Sequence, residues 1–354
     1  MPGISGAKRM ALVRKLANGV VKQLPRTLMN TIPRASPEFK KVDGFEQIAR
    51  KFYDFTETEK DHFKPSTLMN GRQAHHGAAY GGLIFSQAMA AAEITVEPNL
   101  KPHSTHSYFV LNVDTKEALT YQVRRIRDGR SFATRSVEAV QNGKVAFILQ
   151  ASFHVEEPDS IIHQCTMPKV PEPETLMSMR DAVPHMKELV KIGEISPSPP
   201  MLWRLQRYDS VVYSDNDDLF EMRSTNLGNY YGYASDKKPE LHFWMRARGD
   251  ITNDDRLHRW LLAYNSDSIL ISTAVSPHYS TGFTPSMLFS LDHCVWFHRT
   301  DFKADDWLLF ETISRTASGG RALIEGRIWR RDGVLIATCQ QEGLVRSREE
   351  PSRL

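Results

Sequence analysis

The chain is written twice over. The pair Gly81-Gly82 opens a smooth apolar run, 83–96, in which Ala88, Ala90, Ala91 and Ala92 keep the bulk low. Small residues in such a run predict a helix buried tightly against a sheet. Four strand-like runs follow at 106–110, 119–127, 132–141 and 145–155, and Asp128-Gly129 and Asn142-Gly143 between them read as hairpin turns. The pattern then returns. A strand-like run covers 241–246, and Asp254 and Asp255 stand where they would cap a helix with Leu257, Trp260, Leu261 and Tyr264 on its buried face. Strand-like runs follow at 287–298, 307–314, 321–330 and 334–344. Tyr108-Phe109 matches Trp296-Phe297, Gly129 matches Gly319, Asn142-Gly143 matches Asp332-Gly333, and Gln150 matches Gln340, all at nearly constant spacing. A helix followed by an antiparallel meander, present twice, predicts an α+β chain of two like units packed as a pseudo-dimer.

The segments between and around the repeats divide the chain further. Residues 1–38 form a basic extension, 39–157 the first unit, 158–205 a linker, 206–346 the second unit and 347–354 a tail. Within the first unit, residues 42–63 read as a short helix and a strand. The linker holds eight prolines, among them Pro184, which break up any long element apart from a helical piece near 176–192. A net charge of +3 gives no sign of a nucleic-acid partner. Three scattered cysteines form neither a disulfide framework nor a zinc pattern and fit a reducing compartment. No apolar run is long enough to span a bilayer.

The two ends carry different addresses. Residues 1–37 hold seven Lys and Arg with no acid, and Val13, Leu16, Val20 and Leu24 recur at helical spacing, the pattern of a mitochondrial presequence or of a solvated arm. The last three residues, Ser352-Arg353-Leu354, are similar to the Ser-Lys-Leu tripeptide that a peroxisomal import receptor reads. The peroxisome is the favoured expectation and the mitochondrion the alternative.

Tyr264-Asn265-Ser266-Asp267, then Phe289-Ser290-Leu291-Asp292-His293, then Cys339-Gln340-Gln341-Glu342-Gly343 resemble the acyl-CoA thioesterase II family, and the likeness runs over most of 75–346. The resemblance implies two hotdog folds in tandem, each an antiparallel sheet wrapped around a central helix. It also implies hydrolysis of fatty acyl-CoA to fatty acid and coenzyme A, and a catalytic set of Asp267, Ser290 and Gln341 that positions a water. No metal or redox cofactor is implied; the partner is the acyl-CoA substrate itself, and a homodimer or homotetramer is expected. The site is expected between the two units near the start or middle of a central helix, where backbone N–H groups can hold an oxyanion. A half-buried Asp267 would have a raised pKa suited to a base. Ser290 would orient the water, since no Gly-x-Ser-x-Gly elbow surrounds it. Gln340 and Gln341 face opposite sides of a strand, so one of them alone reaches the site.

Other residues compete. His75-His76 has no further metal ligand at a useful spacing, and the loop 72–80 departs from the family. His293-Cys294 looks like a Cys/His pair, but neighbours on a strand face apart, and Cys294 reads as core. Asp292 and His298 read as structural. Arg124, Arg125, Arg127 and Arg130 could meet coenzyme A phosphates or simply be a solvated strand face. A hotdog enoyl-CoA hydratase would need a cooperating Asp and His, and an inactive acyl-CoA-binding protein would have little use for all of Asp267, Ser290 and Gln341.

Overall fold

The structure, a computed structural model, describes residues 41–69, 77–210, 219–233, 238–252 and 254–347. The basic N-terminal stretch, His75-His76 and Ser352-Arg353-Leu354 lie outside these residues. In chain order, helix α1 (Phe45–Lys51) leads to a hairpin of β1 (Phe55–Glu59) and β2 (His62–Pro65), then to helix α2 (Gly81–Ile94). Strands β3 (Leu100–Phe109), β4 (Thr120–Asp128), β5 (Phe132–Gln141) and β6 (Lys144–Val155) complete the first half. Helices α3 (Met179–Lys191) and α4 (Pro199–Ser210) follow, then β7 (Phe220–Ser224), α5 (Leu227–Tyr231) and β8 (Glu240–Ala247). The rest is α6 (Asp255–Ser266), α7 (Leu270–Val275), β9 (Pro285–Ser290), β10 (Asp292–Phe297), β11 (Leu308–Ser318), β12 (Arg321–Arg330) and β13 (Leu335–Ser347).

The strands make one antiparallel sheet in the order β1-β2-β4-β5-β6-β3-β10-β13-β12-β11-β8-β7, with β9 joined to β13. The order is palindromic about the β3–β10 junction, as a duplication requires. In the first half His106 faces Gln150, and in the second Cys294 faces Gln340. Across the junction His106 faces Cys294 itself, so equivalent residues meet on the pseudo-twofold. The tandem hotdog fold holds: each half of the sheet curls over its own helix.

Helix α2 is buried from Gly82 to Glu93 and packs on β3 to β6. It has no polar face, so its two polar side chains in mid-helix are bonded internally. Gln87 donates to the carbonyls of Phe52 and Thr67 and accepts from Tyr121, while Ser86 donates to Leu83. The second half differs from expectation. Asp254 caps α6 by accepting from the Leu257 N–H, as its position predicts, but the helix stops at Ser266. It is the short α7 that packs on β8, β11, β12 and β13, while α6 lies against α2. The run 287–298 is likewise two strands: β9 pairs with the end of β13, and Leu291 redirects the chain into β10 between β3 and β13. The hinge is bonded on both sides, since the Leu291 N–H donates to Glu342 and its carbonyl accepts from Phe109.

The linker is more ordered than its prolines imply. Met167, Val170 and Leu176 cover Trp244, Trp307, Leu309 and Trp329 on the outer face of the second half-sheet. The Trp244 indole donates to Pro171, and Arg331 binds both Glu172 and Glu174. Pro184 sits inside α3, which runs through it to Lys191.

Candidate active site

Asp267 occupies the C-cap of α6, in the joint before α7 (φ −85°, ψ −8°). The other half of the molecule closes this joint. The first turn of α2 comes so near that a Cβ on Gly81 would lie 3.0 Å from Asp267 Oδ2. A Cβ on Gly82 would strike the Tyr264 carbonyl at 2.3 Å. Gly82 is therefore needed for the close approach, whatever its helix propensity, and Gly81 leaves little room for a side chain. The Gly82 backbone N–H donates to the Asp267 carboxylate. The helix start thus holds the expected base, instead of leaving that N–H open for an oxyanion.

Asp267 is enclosed but keeps part of its surface open to solvent. Burial raises its pKa from 3.8 to about 6, against the opposing pull of hydrogen bonds from Gln341, Ser290 and Gly82. The C-terminal end of α6 disfavours the anion further, while the N-terminal end of α2 favours it.

The other two expected residues converge on the same oxygen. Gln341, fully buried on β13, donates from Nε2 to Asp267 Oδ1 at 2.5 Å. Ser290, the last residue of β9, donates from Oγ to that oxygen at 3.4 Å. Of the two glutamines, Gln341 is the inward one, as strand alternation requires. Gln341 Oε1 is buried and has no hydrogen-bond partner in the protein. A buried amide oxygen left unpaired is costly.

One neighbour was not anticipated. His293 is fully buried, 3.5 Å from Gln341 Nε2 through Nδ1 and 2.8 Å from Ser266 Oγ through Nε2. Strand alternation offered half of the signal, that His293 and Cys294 face apart; in the structure His293, Val295 and Phe297 alternate inward along β10, so His293 shares the face of Gln341. Among the described residues, the strands of the first half carry no counterpart of Ser290, His293 and Gln341. At the register positions matching Ser290 opposite Gly343 it has Pro102 opposite Phe153, and at those of His293 and Gln341 it has Thr105 and Ala151.

The profile of a family described as Acyl-CoA thioesterase matches residues 218–344, and that of an Acyl-CoA thioesterase N-terminal domain matches 70–154. Acyl-coenzyme A thioesterase 8 of Mus musculus is 38% identical over 292 residues, covering 77% of this chain and 82% of that protein. Peroxisomal acyl-coenzyme A thioester hydrolase 1 of Saccharomyces cerevisiae is 28% identical over 298 residues, covering 75% and 85%. The crystal structure of an acyl-CoA thioesterase II, TesB2, of Mycobacterium marinum superposes with a TM-score of 0.65 at 30% identity, covering 86% of this chain and all of that one. The chain belongs to the acyl-CoA thioesterase II family.

As a thioesterase of that family it is a hydrolase of acyl-CoA thioesters, and its remaining candidate residues fall into structural places. Asp292 accepts the Glu342 N–H at 2.6 Å, and His298 is bonded to Thr338 at 2.7 Å. Arg299 pairs with Asp301 and Asp159. Cys294, expected in the core, is only half-buried and lies on the face of β10 opposite His293, while Cys339 is fully buried on the same face of β13 as Gln341. Arg125 is forked onto Asp61, and Arg124 and Arg127 are exposed. Among the described residues of this thioesterase no cluster of His, Cys, Asp and Glu could hold a metal ion.

Proposed function

We propose that this chain hydrolyses fatty acyl-CoA by a water activated between Asp267 and Gln341. The observation that carries the reading is the buried, unpartnered Gln341 Oε1 beside a carboxylate whose pKa is raised to about 6. A water there donates one hydrogen to Asp267 and the other to Gln341 Oε1, which leaves an oxygen lone pair for the thioester carbon. Ser290 steadies Asp267 through its hydroxyl and does not attack. As the water oxygen bonds to the carbonyl carbon, its proton passes to Asp267 and the carbonyl π pair moves to oxygen. Collapse of the adduct breaks the C–S bond, and the proton on Asp267 goes to the departing thiolate. The products are the fatty acid and coenzyme A, with Asp267 again ionised.

The test is thiol release from acyl-CoA esters of short to long chain, with Asp267→Ala alongside. Release by wild type that is lost in a folded Asp267→Ala variant is the expected result. Undiminished release by the variant would overturn the residue assignment, and none from wild type on any ester would overturn the activity.

Two further readings accompany this one. The peroxisome is the proposed location, supported by the relative in yeast whose name places it there. Imaging an N-terminally tagged chain, with and without residues 352–354, decides it. Self-association into a dimer or tetramer is proposed from the exposed outer face near the junction, where Tyr108, Ile148, Met287 and Phe289 lie open. Light scattering that gives only monomer mass at micromolar concentration would refute it.

A further inference from the structure

The Gln341 amide has two faces, and hydrolysis as read above works with only one orientation. His293 supplies the reason that orientation is held. A backbone carbonyl only accepts hydrogen bonds, so the 2.8 Å contact of Ser266 Oγ with the Ala263 carbonyl uses the single hydroxyl proton of Ser266. Toward His293 the hydroxyl can then only accept, and the ring carries its proton on Nε2. That leaves a lone pair on Nδ1, facing Gln341 Nε2 at 3.5 Å. The distance is long for a hydrogen bond, but the pairing of donor with lone pair has a definite sign. With the amide turned over, Oε1 would lie against the lone pair of Nδ1 and, at 2.5 Å, against a carboxylate oxygen.

We propose that His293 is a positioning residue for this site: its Nδ1 lone pair, set by Ser266, holds the Gln341 amide with Nε2 on Asp267 and Oε1 presented to the water. The inference rests on the hydrolase reading. His293 itself touches no reacting atom. The ring is braced edge-on by Phe85 of α2, with centroids 4.7 Å apart, and its backbone carbonyl accepts from Ser107 across the junction. Burial keeps the imidazole neutral, with a pKa lowered to about 3. The relay thus runs from the end of α6 through β10 to β13 and back to the joint that carries Asp267.

The experiment has two arms. In the first, ¹⁵N-histidine labelled wild type is compared with His293→Phe, which retains a ring against Phe85, to identify the His293 signals. Nitrogen shifts of a neutral Nε2–H tautomer at pH 7.5 are expected; an Nδ1–H tautomer or a cation overturns the proposal. This arm does not depend on activity, so it stands even if no acyl-CoA is hydrolysed, a result that would sink only the hydrolase reading. In the second, kcat of His293→Phe is expected to fall about 10- to 100-fold with KM within about twofold, the signature of a change made at the chemical step. Adding His293→Phe to Gln341→Ala should then cost nothing more, because the residue acts through that amide. Independent multiplicative losses, or an unchanged kcat in His293→Phe, overturn it. Ser266→Ala removes only one oxygen. Should His293→Phe fail to fold, Ser266→Ala is expected to mix the tautomers and lower kcat in the same direction, and an unmoved tautomer with full kcat overturns the proposal.

Discussion

Asp267 sits where an anion is unwelcome, and that has consequences for pH. Its carboxyl, moved from 3.8 to about 6 mainly by burial, binds a proton more tightly in the folded chain than in the unfolded one. Below about pH 4 both states are protonated and the fold bears no penalty. As pH rises through 6 the folded carboxylate ionises against its surroundings, and stability is lost. Asp267→Asn should therefore be more stable than wild type at pH 7.5, by about 2–3 kcal/mol from the size of the shift. The gain should vanish near pH 4, as thermal unfolding across that range would register. The same group predicts that wild-type kcat falls as pH drops through about 6, with the acid limb absent from what little activity Asp267→Asn retains. Activity of the variant should be lower by about 10²- to 10⁴-fold, the usual scale for loss of a base. The amide is as exposed to error: Gln341→Glu would place a second carboxylate against Asp267 Oδ1, and the acid limb of residual activity should move upward, since two adjacent carboxylates cannot both ionise easily. Asp267, Ser290 and Gln341 were legible in the sequence because their surrounding words resemble a family's. His293 was legible only as half of a tempting dipeptide. Alternation shows that His293 and Cys294 face apart, but which of them faces inward depends on Val295 and Phe297 being core, and that follows from packing.

Helices α2 and α6 run antiparallel, and their two ends of contact do different work. At one end Gly82 lets α2 touch the Tyr264 carbonyl and reach Asp267. Gly82→Ala would put a methyl group 2.3 Å from that backbone oxygen and 2.6 Å from the Tyr80 ring, neither of which has a flexible end to withdraw. Overpacking of this kind destabilises by about 1–3 kcal/mol, and the amide bonded to Asp267 must shift with it. The expected outcome is a lowered melting temperature together with a kcat loss larger than that of Gly143→Ala, which changes an open hairpin turn. At the other end Glu93 of α2, buried at 1% exposure, accepts from Arg259 at 2.5 Å and from the Trp260 indole at 2.7 Å. Glu93→Ala strands the Arg259 charge in the core and should destabilise by about 3–5 kcal/mol, whereas the pair Glu93→Leu with Arg259→Met should recover most of it. Denaturant unfolding of wild type, Glu93→Ala and the double variant separates the cost of a lone charge from that of the pair. The elements themselves were foreseen better than their joints. Apolar smoothness marked α2, and paired turn residues marked the meanders. The stop at Ser266 and the hinge at Leu291 carry no Gly or Pro; each is set by what the neighbouring half presents, α2 in one case and β3 in the other.

At the scale of the molecule the duplication has become unequal, and this fixes how many sites a chain can have. The first half gives the glycines and the amide at the start of α2; the second gives Asp267, Ser290, His293 and Gln341. A mirror-related site would need the same side chains on β3 and β6, where Pro102, Thr105 and Ala151 stand instead. Pro102 and Ala151 offer no side-chain hydrogen bond, and Thr105 spends its hydroxyl on the Val295 carbonyl across the junction. The outer faces have diverged as well: the linker, clasped by Arg331, seals the tryptophan cluster of the second half, while the matching face of the first leaves Phe132 and Ile126 exposed. On the proposed assignment of Asp267 and Gln341, a chain that looks twofold in its backbone has one site. The expected stoichiometry for a non-hydrolysable acyl-CoA analogue, titrated calorimetrically against wild type, is one per chain. Asp267→Asn should leave that number unchanged, because it keeps the shape of the joint. Gly82→Ala, if folded, should weaken the binding, because it displaces the helix start that closes the joint from the other half. Two equivalent sites per chain would mean that the pseudo-twofold still operates and that the pairing of α2 with Asp267 is not what makes the site.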